Sequence, residues 1–237
     1  MFGPGLFPMT GTPLKNHRPL LPLVLVLCAA FTATADDDWQ SRSLPLFDEH
    51  SLAGWEGNAY WFRIENDESG TAAVVAGRLD QKIPHNEFLC TTQNYDNFEL
   101  RYEVKLVGKG QNAGVQFRSK RVKGTTEVSG YQADAGQVGD RPVWGALYDE
   151  SRRRKMLAEG NADEVRQWVK QDDWNQLRVV CRDRHIQIFL NGEKSIDYTE
   201  TDDSIPGYGV IGLQIHSGPP TEAWYRNIRV QQFQVTK

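Results

Sequence analysis

The sequence predicts an all-β fold, a sandwich or barrel formed as one domain over residues 44–235 with one short helical insertion. Three observations predict it. Short runs rich in β-branched and aromatic residues recur between turn residues, no repeat, low-complexity tract or Pro/Ser linker divides them, and several runs alternate apolar with polar side chains. Strands are expected at 60–64, 72–75, 88–91, 98–106, 113–119, 130–135, 176–182, 185–190, 210–216 and 228–235. Asn191-Gly192 follows Ile186, Ile188 and Leu190, the signature of a two-residue hairpin whose turn needs positive φ at both positions. Asp183-Arg184 is expected to turn the preceding pair of strands. The helical exception covers 163–169. Asn161 can cap it with Glu164 three residues on, and Val165, Trp168 and Val169 share one face. Its shortness predicts a surface turn of helix over one sheet.

Residues 1–35 stand apart from this pattern. Lys15 and Arg18 precede an apolar run from Leu20 to Ala30, and Ala33-Thr34-Ala35 has the small-x-small form of a cleavage site. The run is too short for a stable membrane anchor, so it reads as a secretory signal peptide cut after Ala35, with Met9 as an alternative start. Leu27 before Cys28 is not small, which argues against a lipoprotein. The expected mature chain is secreted or periplasmic and has no transmembrane segment. Its 31 acidic residues outnumber its basic ones, which excludes an electrostatic drive toward nucleic acid or anionic lipid. Cys90 and Cys181 each sit in an apolar run. An oxidising compartment permits a disulfide between them, and two separate buried thiols suit the pattern equally.

Strand alternation gives the sharper signal. Val115 and Phe117 alternate with Gln116 and Arg118, Tyr131 and Ala133 with Gln132 and Asp134, and Ile211, Leu213 and Ile215 with Gln214 and His216. If these strands are neighbours, three amides and three ionisable groups line one surface. An antiparallel sheet normally has one wet face, but that face tends to carry Lys, Glu and Thr. Gln, Arg, Asp and His suit directed hydrogen bonds, and Gly114 and Gly212 on the same face would leave room for a ligand. The segment 141–150 adds Trp144 and Tyr148, aromatic plates of the kind that stack on sugar rings, with Asp149 and Glu150. Trp144 suits the core equally well, and the run Arg152-Arg153-Arg154-Lys155 is expected to be a solvated charge cluster. His50, His85 and His185 have no such neighbours.

The same residues resemble a known family. Leu46-Phe47 through Gly54-Trp55, Asn97-Phe98-Glu99-Leu100, Ala113 to Arg118, Gly145-Ala146-Leu147-Tyr148, Trp174-Asn175, Leu190-Asn191-Gly192, Gly212 to His216 and Arg226-Asn227-Ile228-Arg229 stand in the order seen in the DUF1080, or 3-keto-disaccharide hydrolase, domain family. The resemblance spans 46–233. It implies a concanavalin-like two-sheet antiparallel jelly roll with a concave ligand face, and action on 3-keto-glucosides by elimination and hydration. A ketone at carbon 3 acidifies the carbon 2 proton, so a base can remove it while the carbon 1 substituent leaves. Such a site needs a base, an acid for the leaving oxygen and a group that stabilises the enediolate.

On this resemblance His216 and Asp134 are the acid/base candidates and the candidate ligands of a divalent metal ion, which would serve the enediolate. Arg118 would stabilise negative oxygen. Gln116, Gln132 and Gln214 would hold hydroxyls, Tyr148 would donate a proton or stack, and Trp144 and Glu150 would contact substrate. No His-x-His pair or HExxH motif is present, so a metal site would have to assemble across strands. The Glu-x-Asp-x-(x)-Glu strand of retaining glucanases is absent, which argues against direct hydrolysis by paired carboxylates. The chemistry would require a sugar 3-dehydrogenase elsewhere to make the keto-sugar. The competing expectations are a non-catalytic, lectin-like carbohydrate-binding domain and a cell-surface interaction scaffold.

Overall fold

In the computed structural model, which describes residues 1–3, 5 and 35–234, helix α1 (Ala35–Arg42) leads into the strands. These are β1 (Leu44–Pro45), β2 (Trp55–Glu56), β3 (Phe62–Asn66), β4 (Ala72–Arg78), β5 (Glu87–Thr91), β6 (Phe98–Gly108), β7 (Asn112–Arg121), β8 (Val128–Val138), β9 (Arg141–Pro142), β10 (Leu147–Glu150) and β11 (Lys155–Ala158). Helix α2 (Ala162–Trp168) intervenes before β12 (Asn175–Arg182), β13 (His185–Leu190), β14 (Glu193–Thr199), β15 (Val210–Ile215) and β16 (Thr221–Gln232).

Two antiparallel sheets form. The first runs β14-β13-β12-β6-β16-β4-β3 with β1 on β16, and the second runs β11-β10-β8-β7-β15-β5-β2 with β9 on β8. The expected jelly-roll sandwich is the observed architecture. Its core lies between the sheets. Leu100, Tyr102 and Val104 of β6 and Tyr225 of β16 face Val115 and Phe117 of β7, Ala133 of β8 and Leu213 and Ile215 of β15, all essentially inaccessible. Each fully buried aliphatic of this kind contributes about 1.5–3 kcal/mol by leaving water.

Local chemistry sets the connections. Asn191 and Gly192 adopt φ of 50° and 95° between β13 and β14, as the hairpin requires. Asp183, φ 49°, turns β12 into β13. The Asn161 side chain caps α2 by accepting from the Asp163 and Glu164 amides at 3.0 and 3.2 Å. Val165 drops from that helix into the core.

Five elements differ from expectation. Strand β16 begins at Thr221, well before 228, because a bulge between Arg226 and Arg229, with Asn227 at φ 52°, carries the pairing with β6 through a turn-like Arg-Asn pair. Strands β10, β11 and β14 are short or lie toward sheet edges, where polar side chains hide the alternation. Helix α1 starts at the expected cleavage position and is pinned by Trp39, which is buried with the Arg101 guanidinium 4.1 Å from its ring. The apolar leader itself, with Met9 and Cys28, lies outside the described residues. Cys90 and Cys181 are free, buried and on different sheets, so the alternative of two separate thiols holds. Burial pushes the Cys90 thiol up to about 11 and the Cys181 thiol up to about 12. Among the described residues no helix is long and apolar enough to cross a membrane.

Candidate functional site

Strand register builds the site. Gln132 of β8 lies opposite Gln116 of β7 on one side and Tyr148 of β10 on the other, and Glu150 lies opposite Gly130. Asp134 lies opposite Gly114, which in turn lies opposite Gln214 of β15. With Val115, Ala133 and Leu213 facing the core, the alternate residues must face away from it. Gln116, Gln132, Asp134 and Gln214 therefore share the outer face of the second sheet with Tyr148 and Glu150.

These polar groups are buried although they face away from the core. Gln116 and Gln214 are 0 % exposed, Gln132 3 % and Asp134 6 %. Burial of polar groups requires hydrogen bonds, and here they run as a directed relay. The Ser119 hydroxyl donates to Gln116 Oε1 at 2.9 Å, Gln116 Nε2 donates to Gln132 Oε1, and Gln132 Nε2 donates to Asp134 Oδ1 at 2.6 Å. Gln214 Nε2 donates to Glu150 Oε2 at 3.4 Å, and its Oε1 is buried without a partner. Tyr148, Glu150 and His216 are half-buried and form the accessible rim. His216 follows β15, and its Nδ1 lies 2.6 Å from the Ser217 carbonyl oxygen. That oxygen can only accept, so Nδ1 carries a proton, and the neutral tautomer with that bond has its lone pair on Nε2.

The electrostatics follow from burial. Desolvation, with the nearby Glu150 charge adding to it and the Gln132 hydrogen bond opposing it, pushes the Asp134 carboxyl up to about 7. Glu150 is also raised, first by burial and then by the Glu127 carboxylate, while His216 acts in the opposite sense. Tyr148 is raised by burial and by the charges of Glu150 and Asp134, so its hydroxyl stays a donor.

Several expected members are placed elsewhere. Arg118 leaves the face because β7 bulges between Phe117 and Lys120 and Arg118 takes φ 46°. Ser119 replaces it beside Gln116. The Arg118 guanidinium instead donates to the carbonyls of Asp96 at 2.7 Å and Asp183 at 2.6 Å, tying the two sheets at one end of the sandwich. Trp144 is half-buried against the core and lines a separate cleft of about 260 Å³ beside α2, away from the relay. Gly114 and Gly212 make room for side chains and not for a ligand. A Cβ at Gly114 would sit 2.8 Å from Gln132 Cγ, and one at Gly212 2.9 Å from Cys90 Sγ. The basic run is only partly solvated, since Arg152 and Arg153 fold back onto the fully buried Asp149 and Arg153 also pairs with Glu200. Ser119 and Glu127 were missed; a bulge and a hairpin loop, which alternation cannot follow, bring them in. Among the described residues no three His, Cys, Asp or Glu side chains could hold a metal ion together.

Comparison with known proteins decides the family. A model of the 3-keto-alpha-glucoside-1,2-lyase-like domain matches residues 42–231. The chain belongs to this family. As a 3-keto-alpha-glucoside-1,2-lyase-like domain it is a carbohydrate-active protein by descent, consistent with a polar sheet face rich in amides. Its fold recurs in two proteins of Parabacteroides distasonis, each described as a "putative glycosyl hydrolase". One is 19 % identical with TM-score 0.57, covering 81 % of this chain and 99 % of that one, and the other is 16 % identical with TM-score 0.59, covering 85 % and 98 %. The carbohydrate-binding module CBM66 of Bacillus subtilis is 15 % identical with TM-score 0.54, covering 76 % and 96 %. No curated protein matches the sequence.

Proposed function

We propose that this lyase-like domain cleaves 3-keto-glucosides by elimination across carbons 1 and 2, followed by hydration. The observation that supports this most is that half-buried His216 and Glu150 rim the face that carries the buried Asp134, whose carboxyl burial pushes up to about 7. His216 Nε2 removes the carbon 2 proton. The bond between carbon 1 and the glycosidic oxygen breaks, a double bond forms between carbons 1 and 2, and the departing oxygen takes its proton from Asp134. The protonated Tyr148 hydroxyl donates to the carbon 3 oxygen as it gains charge, the part expected of Arg118. Water then adds its oxygen to carbon 1 and a proton to carbon 2, which releases the 3-keto sugar. The nearby Glu150 charge adds to the burial that keeps the donated proton on Asp134. The same reading makes the protein depend on an oxidoreductase for its keto-sugar, and the apolar leader before Ala35 would export it.

A second reading is sugar binding without cleavage. The buried amides Gln116, Gln132 and Gln214 favour it, as does the likeness to CBM66 and to the lumenal domain of VIP36 in its Ca²⁺/Man3GlcNAc-bound form. Incubation with 3-keto-trehalose, with and without a chelator, separates the two. Release of free glucose and 3-keto-glucose supports cleavage, and loss of release on chelation would add a metal ion to the site. Binding without release favours the lectin-like reading.

A further inference from the structure

Away from the rim of His216 and Glu150, the bulged end of β7 borders a cleft of about 590 Å³ whose lining includes Arg118, Ser119, Lys120, Arg121, Arg152 and Tyr208. Its volume lies within the roughly 300–1,000 Å³ range of ligand clefts. Four cations and no carboxylate line it, on a chain whose net charge is −4. Arg118 is 3 % exposed, yet its guanidinium meets only neutral acceptors, the Asp96 and Asp183 carbonyls and Asn97 Oδ1 at 3.3 Å. Among the described residues Lys120 has no ion pair. Arg121 and Arg152 pair with Glu56 and Asp149, which lie outside the lining, and Asp149 is shared with Arg153. Tyr208, 61 % exposed, offers a flat aromatic surface at the edge, next to Pro206.

We infer that this cleft binds a short acidic oligosaccharide, its carboxylate or sulfate groups against Lys120, Arg118 and Arg152 and one sugar ring against Tyr208. A positive cleft with an aromatic edge attracts an anion that also presents a ring face. A long polyanion such as nucleic acid is disfavoured, because the rest of an acidic surface repels it. The cleft also touches the relay. Ser119 lines it and donates to Gln116, the first amide leading to Asp134. One oligosaccharide can thus lie along the same sheet as the Asp134 site. Binding here is independent of whether that site cleaves.

Calorimetric titration of the purified chain tests this with three probes: a galacturonic acid trimer, a sulfated chondroitin tetrasaccharide and neutral maltotriose. At least one acidic probe should bind, at least about tenfold more weakly at high than at low salt, and tenfold or more tighter than maltotriose. Which acid binds distinguishes carboxylate from sulfate. Lys120→Glu and Tyr208→Ala, both at exposed positions, should each weaken binding about tenfold while cleavage of 3-keto-trehalose is unchanged. Failure of both acidic probes to bind overturns the inference. So does equal binding of maltotriose, binding untouched by both substitutions, or equally tight binding of inorganic phosphate or a short oligothymidylate.

Discussion

The outer faces of the two sheets follow the same alternation and end in opposite states. On the first sheet, β6 sends Glu99, Arg101, Glu103 and Lys105 outward, all half-buried. Arg101 pairs with Glu99 at 2.8 Å, Arg226 with Glu103 at 2.6 Å, and Lys105 lies 5.4 Å from the Trp174 ring. Opposite charges meet in reach of water, where each pair contributes about 0–1 kcal/mol. On the second sheet, β8 sends out Gln132 and Asp134, which are buried, and among the described residues no cation stands within ion-pair distance of Asp134. A carboxyl kept there near neutrality opposes folding instead of helping it. Polar alternation alone therefore marks a wet face, whereas amides and an acid buried on such a face mark a candidate site.

The largest test of this contrast is Asp134→Asn, which keeps an acceptor for Gln132. Turnover should fall more than about a hundredfold, the scale of a lost proton donor, with substrate binding retained. Stability should move the other way. The Asp134 pKa rises from 3.8 in the unfolded chain to about 7 in the folded one, so the folded protein holds a proton that the unfolded chain releases. The favourable contribution is present below about pH 4 and is lost as pH rises toward 7. Above pH 7 the Asn variant should therefore be more stable than the native chain, by up to about 4 kcal/mol, a difference that vanishes near pH 4 in urea titrations. The native rate should decline above about pH 7 as the same proton leaves.

His216→Ala should lower kcat by about a hundredfold with little change in melting temperature; a large fall in stability would make the ring structural. Arg118→Ala should do the reverse. It removes the buried guanidinium that ties the Asp96 and Asp183 carbonyls at the end of the sandwich, so urea unfolding should show a loss of about 1–3 kcal/mol, while turnover per folded molecule persists. The smallest effect is expected on the first sheet, where Lys105→Ala should cost no more than about 1 kcal/mol and leave turnover unchanged.

Much of this was legible in the sequence, because both the sandwich and the site rest on two-residue periodicity. Gln116, Gln132, Asp134 and Gln214 fall on one face for the same reason that Val115, Ala133 and Leu213 fall on the other. Periodicity breaks at a bulge, and there the reading failed. Arg118 is one residue into the irregularity of β7, so it turns to the end of the sandwich and Ser119 takes its phase. Trp144 lies outside regular strand, between β9 and β10, and a strand rule cannot aim it. The folding back of Arg152 and Arg153 onto Asp149 depends on a buried acid whose burial no local pattern announces. Gly114 and Gly212 read as room for a ligand, but what fills that room, Gln132 and Cys90, is set by neighbouring strands.

The most direct test is the fate of the carbon 2 proton. 3-Keto-trehalose cleaved in D₂O by the native chain should yield 3-keto-glucose carrying one deuterium at carbon 2, above an enzyme-free control, and Asp134→Asn should abolish that release. Cleavage that leaves carbon 2 unlabelled, or an Asn variant as active as the native protein, would contradict elimination at the outer face of the second sheet.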